Sequence, residues 1–195
     1  MSRKQVILDV AAELFSVRGY RETSMSEVAK LAGVADGTVF YNFRSKEELY
    51  LAVLQAFRDA IRGALDDYRA AHEFADGLAM VEGLVCFYIE LADDMAERFL
   101  LLHRYDSYKI AHSNPTFRKH LEDIYDCIVD AFEEAILRGQ RDGSIVAMPA
   151  RRQALILFAS VDGLVRLKTF DLYQAETLYG ELIGACRRML ARGAA

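Results

Sequence analysis

The chain has 195 residues, a formal net charge of −5, and 53% apolar residues, enough to bury a sizeable core in one domain or two small ones. No stretch approaches the roughly 18 uninterrupted apolar residues of a membrane span, and Met1-Ser2-Arg3-Lys4 leads into an amphipathic segment rather than a signal peptide's apolar core. No membrane partner is expected, and the expected compartment is the cytoplasm.

Cys86, Cys127 and Cys186 are odd in number, far apart and set within helical patterns. They make a poor disulfide framework and read as buried thiols, since a redox or metal role would need a low-pKa setting or close ligand spacing. His72, His103, His112 and His120 show no spacing typical of a structural metal site, so neither metal nor cofactor is expected.

Helical periodicity dominates and no alternating run is long enough to propose a sheet, so the expected class is all-α. Residues 4–18 place Ile7, Val10, Ala11, Leu14 and Phe15 on one stripe, and Gly19 follows where a helix would end. Ser24 can cap a short second helix ending near Ala32, with Glu27 reaching back in a capping box. Gly33 supplies the positive φ of a tight turn before a third short helix carrying Thr38 to Phe43. Lys46 opens a long fourth helix with Leu49, Val53, Phe57, Ala60 and Ala64 on its stripe. Residues 76–92 and 95 to about 106 follow as helices. Asn114-Pro115 is a cap and first-turn proline for a long helix ending near Gly139, and Pro149 suits the first turn of residues 149–169. A last helix covers roughly 175–191, making about nine helices in all.

A short helix, a glycine turn and a second short helix, braced by a preceding helix, can project an N-terminal helix end into a DNA major groove. Val28, Val34, Val39 and Phe43 can join Leu14 and Phe15 in a small core, leaving Ser24, Ser26, Asp36, Gly37, Thr38, Tyr41, Asn42 and Lys46 outside. Hydroxyls, an amide, a lysine and helix N-termini all donate hydrogen bonds to phosphate. The basic footprint is weak: among residues 1–50, Arg3, Lys4, Arg18, Arg21, Lys30, Arg44 and Lys46 only balance the acids.

Thr23-Ser24-Met25-Ser26-Glu27-Val28-Ala29, Ala32-Gly33-Val34, Gly37-Thr38-Val39-Phe40-Tyr41-Asn42-Phe43 and Ser45-Lys46-Glu47-Glu48-Leu49 together resemble the tetracycline-repressor (TetR) family. The rest of the chain resembles it in length, helix count and a Val161-Asp162-Gly163-Leu164 segment. The resemblance implies a DNA-binding domain over residues 1–46 and a helical effector-binding and dimerisation domain over 47–195. It implies phosphate contacts from Ser24, Thr38, Tyr41, Asn42 and Lys46, with Ser26, Asp36, Gly37 and Tyr41 facing bases. Asp36, Phe40 and Asn42 depart from the family's usual residues. Asp36 either accepts from a cytosine amino group or simply favours its helix N-terminus.

Residues 154–167 are too apolar for one solvent-facing helix and Gly163 allows close approach, so with residues 175–191 they suit either a dimer interface or burial within the monomer. The interface expected from the resemblance uses Leu155, Phe158, Gly163, Leu178, Leu182, Cys186 and Met189. The resemblance also implies an effector pocket, for which Tyr88, Phe99, His103, Tyr125, Ile128, Phe158 and Asp162 are the available lining. An amphipathic or aromatic ligand would suit these groups. Asp162 and Arg166, spaced i to i+4, read as a local ion pair or a ligand contact. The expected function is therefore a homodimeric transcriptional repressor, released from a palindromic double-stranded DNA operator by a small molecule. The alternative is a helical adaptor for protein partners. No nucleophile, base and orienter form a recognisable motif, so an enzyme is not expected.

Overall fold

The computed structural model describes residues 2–191; Met1 and residues 192–195, the outer ends of the two expected domains, lie outside the described residues. The described residues form α1 (Arg3–Arg18), α2 (Met25–Leu31), α3 (Asp36–Asn42), α4 (Lys46–Ala71), α5 (Gly77–Asp94), α6 (Ala96–His103), α7 (Tyr105–Ser113), α8 (Pro115–Asp142), α9 (Ala150–Thr169) and α10 (Tyr179–Leu190). A 3-10 turn over Ala175–Leu178 precedes α10. Among the described residues there is no strand, and no helix is long and apolar enough to cross a membrane.

The additional helix is α7. The periodicity carries one helix to about residue 106, but the chain breaks at Arg104, whose backbone is extended at φ −66° and ψ 143°. No glycine or proline marks the break. Its reward is local: the Arg104 guanidinium donates to the Ser16 and Val17 carbonyls, both at 3.1 Å, satisfying groups that the end of α1 leaves without helical partners.

By packing, the chain divides into two units, one taking in residues up to 60 together with 95–124, the other 61–94 and the residues from 125 onward. In the first unit α1, α2 and α3 enclose Ile7, Leu14, Phe15, Val28, Ala29, Val39 and Phe43, all buried. The spacing of these residues, not their propensity, makes the short helices α2 and α3 stable, because isolated helices this short are marginal in water. Tyr50 on α4 lies edge-on to Phe15 and Tyr20 and stacks on Phe117 of α8, with ring centroids 4.8, 5.2 and 5.2 Å away. Its hydroxyl meets Ser107 Oγ at 2.8 Å, and burial pushes its pKa up to about 12. Ser107 in turn donates to the Leu101 carbonyl at 2.7 Å, so both of these buried hydroxyls are satisfied.

In the second unit α5 packs against α9 and α10. A Cβ on Gly77 would collide with the backbone of Gly139, so α5 meets α8 at a glycine-on-glycine contact. Ion pairs trim its surface: Arg187 grips Glu82 through two bonds of 2.7 Å, and Arg69 meets Glu134 at 2.6 Å. The expected last helix begins later than residue 175, because Asp171, Tyr173 and Gln174 all take positive φ and fold the chain sharply before the 3-10 turn. Left-handed non-glycine residues are uncommon, and no glycine announces this bend.

Candidate nucleic-acid interface and ligand site

The expected helix-turn-helix forms from local signals. Ser24 Oγ accepts from the Glu27 amide at 3.2 Å, capping α2, and Gly33 turns the chain at φ 66°. The reciprocal half of the expected capping box is replaced: the Glu27 carboxylate pairs with Arg18, joining α2 to the end of α1. A cap of the same pattern, not singled out above, opens α4. There the Glu48 amide donates to Ser45 Oγ at 3.1 Å and the Glu48 carboxylate accepts from the Arg44 amide at 2.8 Å.

Inward-facing Val39 and Phe43 fix which side of α3 faces out. That outer side carries Asp36, Gly37, Phe40 and Tyr41, with Tyr41 89% exposed. Phe40, absent from the expected contacts, is found by its i, i+4 spacing from Asp36.

Several expected contacts are already engaged. Ser26 Oγ donates to Asp36 Oδ2 at 2.7 Å, linking α2 to α3. Asn42 Nδ2 donates to the Thr38 carbonyl one turn back, at 2.8 Å. Lys46 Nζ donates to the Arg21 carbonyl at 3.2 Å and sits 4.6 Å over the Tyr20 ring. Ser24 and Lys46 are thus placed at the openings of α2 and α4, and Thr38 is half-buried within α3. The eight expected residues converge on α2, α3 and the start of α4, all within the first unit.

The expected ligand residues divide. Tyr88, Tyr125, Ile128, Phe158 and Asp162 belong to the second unit, whereas Phe99 and His103 belong to the first, where Phe99 packs edge-on against Phe57 at 5.5 Å and against His103 at 6.0 Å. In the second unit Phe158 stands 5.8 Å from Tyr88 and 5.1 Å from Tyr125, ring centre to ring centre. The Tyr88 hydroxyl donates to Asp162 Oδ1 at 2.8 Å, and Asp162 is only 8% exposed. A buried carboxylate supplied with a phenol donor beside two further rings can accept a polar ligand head while the rings hold an apolar body.

The same unit carries an open cleft of about 500 Å³ lined by Arg69, His72, Glu73, Phe74, Met80, Glu134, Arg138 and Arg141. Arg138 donates to the Phe74 carbonyl at 2.7 Å, and Arg69 is bound to Glu134.

Of the expected interface residues, Leu155, Leu178 and Met189 are exposed, Phe158, Gly163 and Leu182 are half-buried, and no heavy atom stands within 4 Å of a Cβ built on Gly163. Cys186 is 2% exposed, inside its own protomer, and burial raises its thiol pKa as it raises that of Cys86.

Residues 7–53 match the sequence model of the bacterial regulatory proteins of the tetR family. The chain is 30% identical over 171 residues to the HTH-type transcriptional regulator TtgR of Pseudomonas putida, an alignment covering 82% of this chain and 77% of that protein. It is 26% identical over 159 residues to the HTH-type transcriptional regulator RutR of Escherichia coli, covering 82% and 72%. Among solved structures, a transcriptional regulator from Saccharomonospora viridis in complex with choline superposes with a TM-score of 0.82 at 22% identity, covering 97% of this chain and 98% of that one. The regulator FadR from Bacillus subtilis in complex with stearoyl-CoA gives 0.77 at 20% identity, covering 93% and 96%.

Proposed function

Because the chain belongs to the TetR family, and is therefore a helix-turn-helix, DNA-binding transcriptional regulator, we infer that it acts as a cytoplasmic homodimeric repressor on a palindromic operator, released when a small molecule binds. The observation that carries this reading is the outer side of α3. Val39 and Phe43 anchor the helix while Asp36, Gly37, Phe40 and Tyr41 stand free of the core, as a helix entering a major groove requires. Ser26, Asp36, Gly37 and Tyr41 face bases; Ser24, Thr38, Tyr41, Asn42 and Lys46 meet phosphates. Residues 1–46 make the reader, and 47–195 supply dimerisation and ligand binding.

One helix-turn-helix reads few base pairs, so a two-fold pair on two half-sites supplies the missing affinity. The exposed apolar side chains of α9 and α10, Leu155 and Met189 among them, support that face as the dimer interface. The effector site is the Tyr88, Tyr125, Ile128, Phe158 and Asp162 cluster, suited to an aromatic or amphipathic molecule with a polar head. Its occupancy acts on DNA through α4, whose residues 46–60 lie in the first unit and 61–71 in the second. A coupling of about 1–3 kcal/mol would change DNA affinity from several-fold to over a hundredfold.

The test is selection of bound duplexes from a random DNA pool at near-physiological salt, followed by sequencing. A palindromic motif is expected. A folded protein that enriches no motif would instead be an adaptor for protein partners. In the second stage, a compound that binds tightly yet leaves operator affinity unchanged is ruled out as the effector.

A further inference from the structure

The reader face carries a carboxylate where DNA presents a polyanion. Asp36 opens α3, is exposed, and shares the outer side of that helix with Phe40 and Tyr41. Gly37 beside it has no heavy atom within 4 Å of where a Cβ would stand, so nothing in the protomer crowds an approaching base edge.

An acid at this position favours the helix dipole whichever way its side chain points. Asp36 has more than that: the Ser26 hydroxyl on α2 donates to its Oδ2 at 2.7 Å and fixes its direction across the turn. The serine occupies one of the carboxylate's several acceptor positions, and an ionised carboxylate accepts without donating. A fixed, acceptor-only group on a groove-facing helix discriminates among base edges.

We propose that Asp36, oriented by Ser26, selects cytosine at one position of each operator half-site; the inference rests on the DNA-facing role of α3 given above. In the major groove only the cytosine N4 and adenine N6 amino groups donate, whereas guanine and thymine present acceptors that repel a carboxylate. Adenine sets its amino group beside the N7 acceptor, which suits an amide able both to donate and to accept. Cytosine offers its donor without that neighbouring acceptor. The same negative charge weakens binding to every phosphate backbone, so Asp36 trades general affinity for discrimination against wrong sites. Ser26 is a positioning residue.

The full-length wild type, Asp36→Asn and Ser26→Ala proteins are each taken through selection from a random duplex pool. The wild-type motif is expected to carry cytosine at one symmetric position. Asp36→Asn should lose that preference by about tenfold and move toward adenine there, with the other positions kept and overall affinity for random duplex raised. Ser26→Ala should soften the cytosine preference at the same position alone. If Asp36→Asn retains every wild-type preference, the assignment fails while the DNA reader stands. A uniform loss across all positions in either variant makes the pair a structural clamp and also overturns it. A wild type that enriches no motif overturns the reader and the assignment together.

Discussion

Around α3, beside the exposed Phe40 and Tyr41, the polar groups are already tied to neighbours, Ser26 to Asp36, Asn42 to the Thr38 carbonyl and Lys46 to the Arg21 carbonyl. Along α9 large apolar groups stand exposed among Arg152 and Ser160, with Leu155 at 48% and Ile156 at 51% exposure, and Leu178 and Met189 continue the pattern beyond it. The polar face is set within one protomer before any ligand arrives, so its recognition needs little rearrangement. The apolar face has no internal remedy, since only burial against another apolar surface removes it from water. On the proposed function, one face would encode which sequence is read and the other whether two readers act together.

The contrast breaks most visibly at the apolar face. Replacing Leu155 and Ile156 together by glutamate should leave the helical content intact, because both are exposed, yet yield monomers in sedimentation and lower operator affinity by about a hundredfold or more. An unchanged sedimentation profile would remove α9 from the interface. Next in size is Tyr88→Phe, which takes a donor from the buried Asp162 carboxylate and should cost about 2 kcal/mol in urea unfolding. Because the change lies in the second unit, apo-protein DNA preferences should stay as they are. Tyr41→Ala sharpens the polar side of the comparison: affinity should fall about tenfold and base preference should shift, without loss of stability at so exposed a residue. Equal preference profiles would confine Tyr41 to the backbone. The smallest effect is expected from Lys46→Ala, a loss of a few-fold on all duplexes alike with the salt slope lowered by about one. A loss restricted to the operator would contradict a phosphate role.

These two faces were not equally legible in the sequence. The reader could be followed residue by residue because its signals are local: Ser24 caps, Gly33 turns, and Val39 and Phe43 face inward. The start of α8 was legible for the same reason, Asn114 accepting from the Thr116 and Phe117 amides at 2.9 and 3.3 Å. The reader's tether escaped, because a bond between Ser26 and Asp36 spans ten positions and depends on how α2 meets α3. Distance along the chain hid more elsewhere. The break before α7 is set by Arg104 reaching carbonyls 87 and 88 residues away, which no periodicity records. The aromatic and polar residues suited to a ligand were identifiable by type, but type alone could not separate Phe99 and His103 from the group around Phe158. At the close of α9 the bend rests on three left-handed residues without glycine, against the local preference.

If copies pair along α9, that bend also reports on the assembly. Phe170, Leu172 and Tyr173 stand in solvent on a short irregular segment between α9 and the 3-10 turn, the side chains that a chymotrypsin-like protease cuts beside. They follow directly on α9, whose exposed Leu155 and Ile156 suit pairing with a second copy. Cleavage kinetics at this one segment, followed across protein concentration, would convert subunit exchange into bands on a gel without a label.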